Sequence, residues 1–341
     1  MREKILAAFG LDIKNFLVEP IGSGYINLTY KVAGSSVYIL QRINKNIFKH
    51  PEVIAKNLRI ADDHLKKFHP EYLFPSTLRT ADNKEMAYDD EGFPWRLFPY
   101  IKNSTTFDSV DSPEEAFSAA SEFAKLTRYL EGVDVSAFGA TLERFHDLQW
   151  RYEQFETALA NASAERKKEA AEAVNTCLHF KYLVDEYNDL IDKKSMKLRI
   201  MHNDTKINNI LFDATTRKAI CVIDIDTLMP GYFIYDVGDM IRTFVSPVSE
   251  EEKDLDKIIF RKEIYDALVR GYHSQMDDFL TESERKLFPF AGMMMTYIMA
   301  LRILADFLNG DVYYRITYRD QNLVRARNQL RLLQVLDNNR Y

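Results

Sequence analysis

The sequence predicts an α+β protein of two lobes: a small β-rich lobe over residues 1–102 and a larger, mostly helical lobe over residues 103–341. Three observations carry this expectation. Short runs rich in β-branched and aromatic residues, broken by glycine turns, fill the first hundred positions. Apolar residues at helical spacing dominate after Ile101. Between the two lies the polar run Lys102-Asn103-Ser104-Thr105-Thr106, a hinge by composition.

The elements follow in order. Residues 19–32 read as strand, glycine turn and strand around Gly22-Ser23-Gly24, and residues 36–43 as a third strand. Pro51 to Phe68 carries helical periodicity, with Val53, Ile54, Leu58 and Leu65 as its core face. Glu85–Tyr88 and Trp95–Ile101 complete the sheet. Ser112-Pro113-Glu114-Glu115 is a capping box with proline at the first helical position, and Gly132 lies near that helix's end. Residues 163–192, rich in Ala, Glu and Lys, predict one long helix or two, and residues 252–280, 283–309 and 318–337 predict further helices. The apolar stretch Leu287–Leu301, interrupted by Pro289, falls short of the roughly 20 residues that cross a bilayer and reads as a buried helix.

Composition narrows the function. Of 341 residues, 46% are hydrophobic and 28% charged, a globular balance. A net charge of −6 argues against a general nucleic-acid binder. Two cysteines, Cys177 and Cys221, are too few for a disulfide framework or a zinc cluster. The N-terminus has no apolar run of signal-peptide kind, so a cytoplasmic enzyme with no membrane segment and no obligate protein partner is expected.

The chemistry is concentrated in His202-Asn203-Asp204-Thr205-Lys206-Ile207-Asn208-Asn209, followed by Asp224-Ile225-Asp226. Asn209-Ile210-Leu211-Phe212-Asp213 and Ala219-Ile220-Cys221-Val222-Ile223-Asp224 read as paired strands, which brings Asp204, Asn209 and Asp224 to one place. Kinases use such an arrangement: one carboxylate beside the attacking hydroxyl, and a second carboxylate with an amide oxygen on the metal. Magnesium prefers these hard oxygen ligands. Lys206 either reaches the transferring phosphate or is a surface charge. His202 packs and orders the loop, Asp226 orients the loop or takes a second metal, and Asp236 and Asp239 cap a helix.

Gly22, Ser23 and Gly24 suit a backbone that approaches phosphates closely, or an ordinary hairpin turn. A phosphate-binding cation is expected from the third strand, where Gln41 and Arg42 point to opposite faces; Arg42 carries the charge, and Glu52 of the next helix is a candidate partner. Pro99, Tyr100 and Ile101 occupy the hinge position, where backbone groups would meet adenine. Ile298, Arg302 and Asp306 share one helical face, so Arg302 and Asp306 are either a structural ion pair or part of a binding site.

These motifs, together with Met229-Pro230-Gly231 and Tyr235-Asp236-Val237-Gly238-Asp239, resemble the aminoglycoside phosphotransferase and choline kinase superfamily. The glycine loop, Ile39-Leu40-Gln41-Arg42-Ile43-Asn44 and the segment Asp306 to Tyr314 are similar, more narrowly, to its N-acetylhexosamine 1-kinase branch. The resemblance implies a bilobal protein-kinase-like fold and Mg2+-dependent phosphoryl transfer from ATP to the anomeric hydroxyl of N-acetylglucosamine or N-acetylgalactosamine. It implies Asp204 as base, Asn209 and Asp224 as magnesium ligands, and Arg302 and Tyr313 as sugar contacts. Tyr25 stands where that branch leads one to expect histidine. A kinase of the same fold for an amino alcohol, aminoglycoside or homoserine, and a non-catalytic nucleotide-binding protein, are the other readings.

Overall fold

The computed structural model describes residues 2–22 and 26–340. Helix α1 (Arg2–Ala8) precedes strands β1 (Leu17–Pro20), β2 (Leu28–Ala33) and β3 (Val37–Arg42). Helix α2 (Pro51–Phe68) follows, then β4 (Ala87–Tyr88) and β5 (Pro94–Pro99). The five strands form one antiparallel sheet in the order β1-β2-β3-β5-β4. Its register sets Gln41 of β3 opposite Thr29 of β2 on one side and Arg96 of β5 on the other. One face buries Val32, Leu40, Trp95 and Leu97 against Ile5 and Leu6 of α1.

The other lobe opens with β6 (Ser104–Thr105) and α3 (Pro113–Tyr129), whose N-cap Ser112 accepts the Glu115 amide as the sequence predicts. Helices α4 (Leu148–Asn161), α5 (Ala164–Glu169), α6 (Ala171–His179) and α7 (Tyr182–Asp192) come next. Strands β7 (Arg199–Met201), β8 (Ile210–Asp213), β9 (Ala219–Val222) and β10 (Met229–Gly231) follow, then α8 (Phe233–Phe244), α9 (Lys262–Met276), α10 (Glu282–Arg285), α11 (Phe288–Leu308) and α12 (Gln321–Asp337). Strands β8 and β9 form the expected hairpin, with a bulge at Leu211/Phe212. β6 pairs with β8, and β10 pairs with β7.

Three sequence expectations shift. Residues 163–192 make three short helices, because the chain turns at Ala170 and again at Phe180-Lys181. The helix expected from residue 252 starts at Lys262, since Asp254 accepts the Asp256 amide and closes a 3-10 turn instead. Pro289 begins α11 rather than interrupting it, as suits a residue whose missing N–H costs nothing in a first turn. α11 is 21 residues long and apolar enough to cross a membrane by length and composition, but 83% of its apolar window is buried inside the fold.

The apolar face of α2 belongs to the large core, alongside α3 and α8, and not to the small core under the sheet. A buried ion pair braces the far side of the large lobe. Glu284 accepts Arg199 Nη1 at 2.7 Å and the amides of Thr281 and Lys197 at 2.9 Å each. Burial disfavours its charge, but Arg199 and the two amides prevail and hold the carboxyl below its usual range. Its contribution is therefore fully present above the unfolded glutamate pKa of about 4.3 and is lost as pH falls through the lower folded value. Glu284→Gln should cost on the order of 3 kcal/mol by urea unfolding at neutral pH, with the difference from the parent shrinking on acidification.

Candidate active site

Three anchors shape the loop from His202 to Asn209. Asp236, in the first turn of α8, accepts the His202 amide at 3.0 Å and the Asn203 amide at 2.7 Å, and its own carbonyl accepts the Thr205 hydroxyl at 2.6 Å. His146 places Nε2 on the Asn203 carbonyl at 2.8 Å. His202 donates from Nε2 to the Ile223 carbonyl at 2.9 Å, while its Nδ1 accepts the Asp204 amide at 3.2 Å. Asn203 sits at φ 64° and sends its amide nitrogen to the Met201 and Thr227 carbonyls, both at 3.0 Å. Gly231 is required nearby, since a Cβ there would meet Asn203 Oδ1 at 2.8 Å. Asp236 is thus more than the helix cap expected of it. Desolvation raises its pKa to about 6.

The loop presents Asp204 half-buried. Lys206 Nζ lies 3.1 Å from its carboxylate, and Asn209 Nδ2 reaches its carbonyl at 2.8 Å and its carboxylate at 3.1 Å. Burial would raise the Asp204 pKa, but Lys206 and Asn209 outweigh it and hold the group ionised below its usual range. Lys206 is held protonated in return, first by Asp204 and then by Asp224. Asp224, at φ 55° in the left-handed region, lies two residues beyond β9 and is exposed. Desolvation, then Asp226 and Asp204, push its pKa up.

Asp226 is not available to a metal. One oxygen takes Arg96 Nη2 from β5, and the other takes Asn27 Nδ2 at 2.7 Å. Gln41 Oε1 accepts the same arginine's Nε at 3.0 Å. Arg96 and Asp226 are each only 2% exposed. Arg42, expected to face phosphate, is turned away: it pairs with Asp89 at 2.9 Å and Glu91 at 2.6 Å and stacks 3.6 Å from the Phe93 ring centre. Arg42 lies on the face of β3 opposite Gln41, the same face as Leu40. Glu52 is exposed and meets His50 rather than Arg42. Instead α2 is joined to the large lobe by Asn57, which donates to the Gly139 and Leu228 carbonyls at 2.8 and 2.9 Å and accepts the Gly139 amide at 3.0 Å.

Gly22 takes φ 76°, which favours glycine, while Ser23, Gly24 and Tyr25 lie outside the described residues. At the hinge, Pro99 ends β5, the Tyr100 amide is bonded to the Val37 carbonyl at 3.1 Å, and the Ile101 carbonyl accepts Ser104 Oγ at 2.7 Å.

At the end of α11, Asp306 does not pair with Arg302. It accepts the amides of Val312, Tyr313 and Tyr314 at 3.0, 2.8 and 2.9 Å, and Asn322 Nδ2 at 3.0 Å, and so shapes the turn after α11. Its oxygens are occupied by that scaffold rather than facing a ligand. Tyr313 is 60% exposed on this turn. The Arg302 guanidinium lies 5.3 Å from the Phe145 ring centre, near Arg151 of α4. Neither arginine forms an ion pair among the described residues; Arg151 donates to the Phe145 carbonyl at 2.9 Å and to Gln154 at 2.9 Å. Desolvation, then Arg302, lower the Arg151 pKa to about 10. Both arginines, with Asp204, bear on His146. No local sequence motif marks Arg96, Arg151, His146 or Asn27.

The donors suit a hard divalent cation. No three His, Cys, Asp or Glu side chains among the described residues form a ready-made metal cluster. Asn209 uses its amide nitrogen on Asp204, leaving its oxygen for another partner, and Asp224 accepts no hydrogen bond among the described residues. Two protein oxygens fit Mg2+, which keeps waters and takes its remaining ligands from phosphates.

Residues 17–282 match the model of the APH phosphotransferase enzyme family, and the chain belongs to it. Solved structures of the same fold include a microcompartment-associated aminopropanol kinase (15% identity, 98% of this chain and 95% of that one, TM-score 0.63). An aminoglycoside phosphotransferase from Alicyclobacillus acidocaldarius (13%, 99% and 96%, TM-score 0.62) is also similar. So is the ethanolamine kinase of Plasmodium vivax (13%, 93% and 82%, TM-score 0.60). The protein is thus a phosphotransferase of bilobal kinase fold.

Proposed function

We propose that this phosphotransferase transfers the γ-phosphoryl group of ATP to the anomeric hydroxyl of an N-acetylhexosamine, giving the sugar 1-phosphate. The observation that carries the reading is a pair of arginines that form no ion pair among the described residues: Arg302 lies 5.3 Å from the Phe145 ring centre and Arg151 donates to the Phe145 carbonyl at 2.9 Å, and the next residue, His146, meets the Asn203 carbonyl at 2.8 Å just before Asp204. Such a pocket offers donors to the hydroxyls and acetamide carbonyl of a neutral sugar. It repels an ammonium group, which disfavours the amino alcohols and aminoglycosides named for the similar structures. The resemblance of the segment from Asp306 to Tyr314 to the sugar-kinase branch points the same way.

In this reading Asp204 accepts a hydrogen bond from the sugar 1-hydroxyl. It takes the proton as the sugar oxygen bonds to phosphorus and the bond to ADP breaks. The transition state is loose, so orientation matters more than basicity. Lys206 keeps the base ionised and supports the charge of the transferring group. Asn209 and Asp224 would hold Mg2+, which when bound neutralises the phosphate oxygens. Tyr313, exposed on its turn, closes over the sugar.

ADP release with Mg·ATP against GlcNAc, GalNAc, glucose, galactose, aminopropanol, ethanolamine, choline, homoserine and kanamycin tests the reading, with phosphorus NMR on any product. A hexosamine 1-phosphate is expected; turnover of an amine alone sinks it. Arg302→Ala should raise the acceptor KM by roughly tenfold to a hundredfold with the ATP KM unchanged, as for a lost charge-assisted contact. An effect on ATP alone would move Arg302 to the nucleotide pocket.

A further inference from the structure

We infer that Arg96, on the fifth strand, is the cation that binds the nucleotide's phosphates, and that Asp226 with Gln41 holds it in position. The third strand contributes no such cation. Its inward position is Gln41, and Arg42 is bound to Asp89 and Glu91 on the other face. Among the described residues, Arg96 is the one small-lobe cation in an ion pair with an acid of the cleft.

Two further observations point from structure toward a ligand. Arg96 Nη1 is out of water and has no acceptor. An unsatisfied buried donor is costly and calls for a partner, and a phosphate oxygen is the acceptor that guanidinium geometry suits best. The charge is also costly to bury: Arg96 is 2% exposed, and a buried ion pair seldom outperforms apolar packing.

The anchoring differs in kind from a strand lysine held by a helix glutamate. Here the cation and Asn27 converge on Asp226, two residues beyond the proposed metal ligand Asp224, and Gln41 braces the cation. Helix α2 takes no part in it, since Glu52 is paired at the surface and Asn57 faces the large lobe. The cation and the metal segment are therefore positioned by one another.

Calorimetric titration of the full chain in Mg2+ with adenosine, AMP and ADP tests this without any acceptor, so its failure and that of the sugar reading are distinguishable. Arg96→Gln keeps a neutral donor to Asp226. It should weaken ADP roughly tenfold to a hundredfold, the loss of a charge-assisted contact, and leave adenosine unchanged. The second comparison sets Asp226→Asn against Arg96→Met/Asp226→Asn, which avoids stranding a buried carboxylate; the double variant should bind ADP more weakly still and adenosine equally. Unchanged ADP affinity on losing Arg96, or an equal loss for adenosine and ADP, overturns the inference.

Discussion

Asp204→Asn should slow turnover roughly a hundredfold to ten-thousandfold, the usual contribution of a positioned base, and leave ADP binding intact. The substitution preserves shape and the contact with Asn209, so the loop has no reason to move. It removes the acceptor for the incoming hydroxyl's proton and the charge that faces Lys206 at 3.1 Å. The loss belongs in kcat, since the proposed base acts as the bond to phosphorus forms. Single-turnover quench flow with saturating ATP separates this from slowed product release, and a rate within tenfold of the parent would remove Asp204 as the base.

The second large effect concerns a residue that touches no substrate. Asp236→Ala removes the acceptor of the His202 and Asn203 amides, in a site where water cannot replace it. Each stranded buried amide costs about 1–3 kcal/mol, so a loss of a few kcal/mol in urea unfolding is expected. Because those amides directly precede Asp204, kcat should fall as well, even well below the unfolding midpoint. Asp236→Asn, which keeps one acceptor oxygen, should recover part of both. Loss of stability without loss of kcat would mean that the loop is held by His146 and His202 alone.

Where candidate residues are local in the chain, the sequence anticipated that they lie together. His202, Asp204, Asn209 and Asp224 fall within one loop and one hairpin, so spacing alone brings them together. Strand and helix positions followed for the same reason, as period and caps are local signals. The proposed cation Arg96 was not legible. Gln41 and Arg96 are 55 residues apart and meet only through the register of β3 with β5, which a strand's own composition does not encode. A basic residue amid the apolar run Trp95-Arg96-Leu97-Phe98 was the available signal. Asp306 was misplaced for a related reason. Helical spacing sets it one turn from Arg302, but the chain reverses after α11 at Gly310, φ 97°, and returns three amides to its carboxylate. Arg151, which meets Phe145 as Arg302 does, comes from a helix about 150 residues upstream of Arg302 and has no motif of its own.

Asn57 has a consequence for ligand discovery. Its side-chain amide is fully engaged, two donors and one acceptor, each within 3.0 Å of a large-lobe backbone group. Swinging α2 outward would strand these groups, at about 1–3 kcal/mol apiece. A compound that seeks the space behind that helix must first meet this cost from its own affinity, since the open form would be a minor population. Screening against this protein should therefore favour compounds that enter through the front of the cleft.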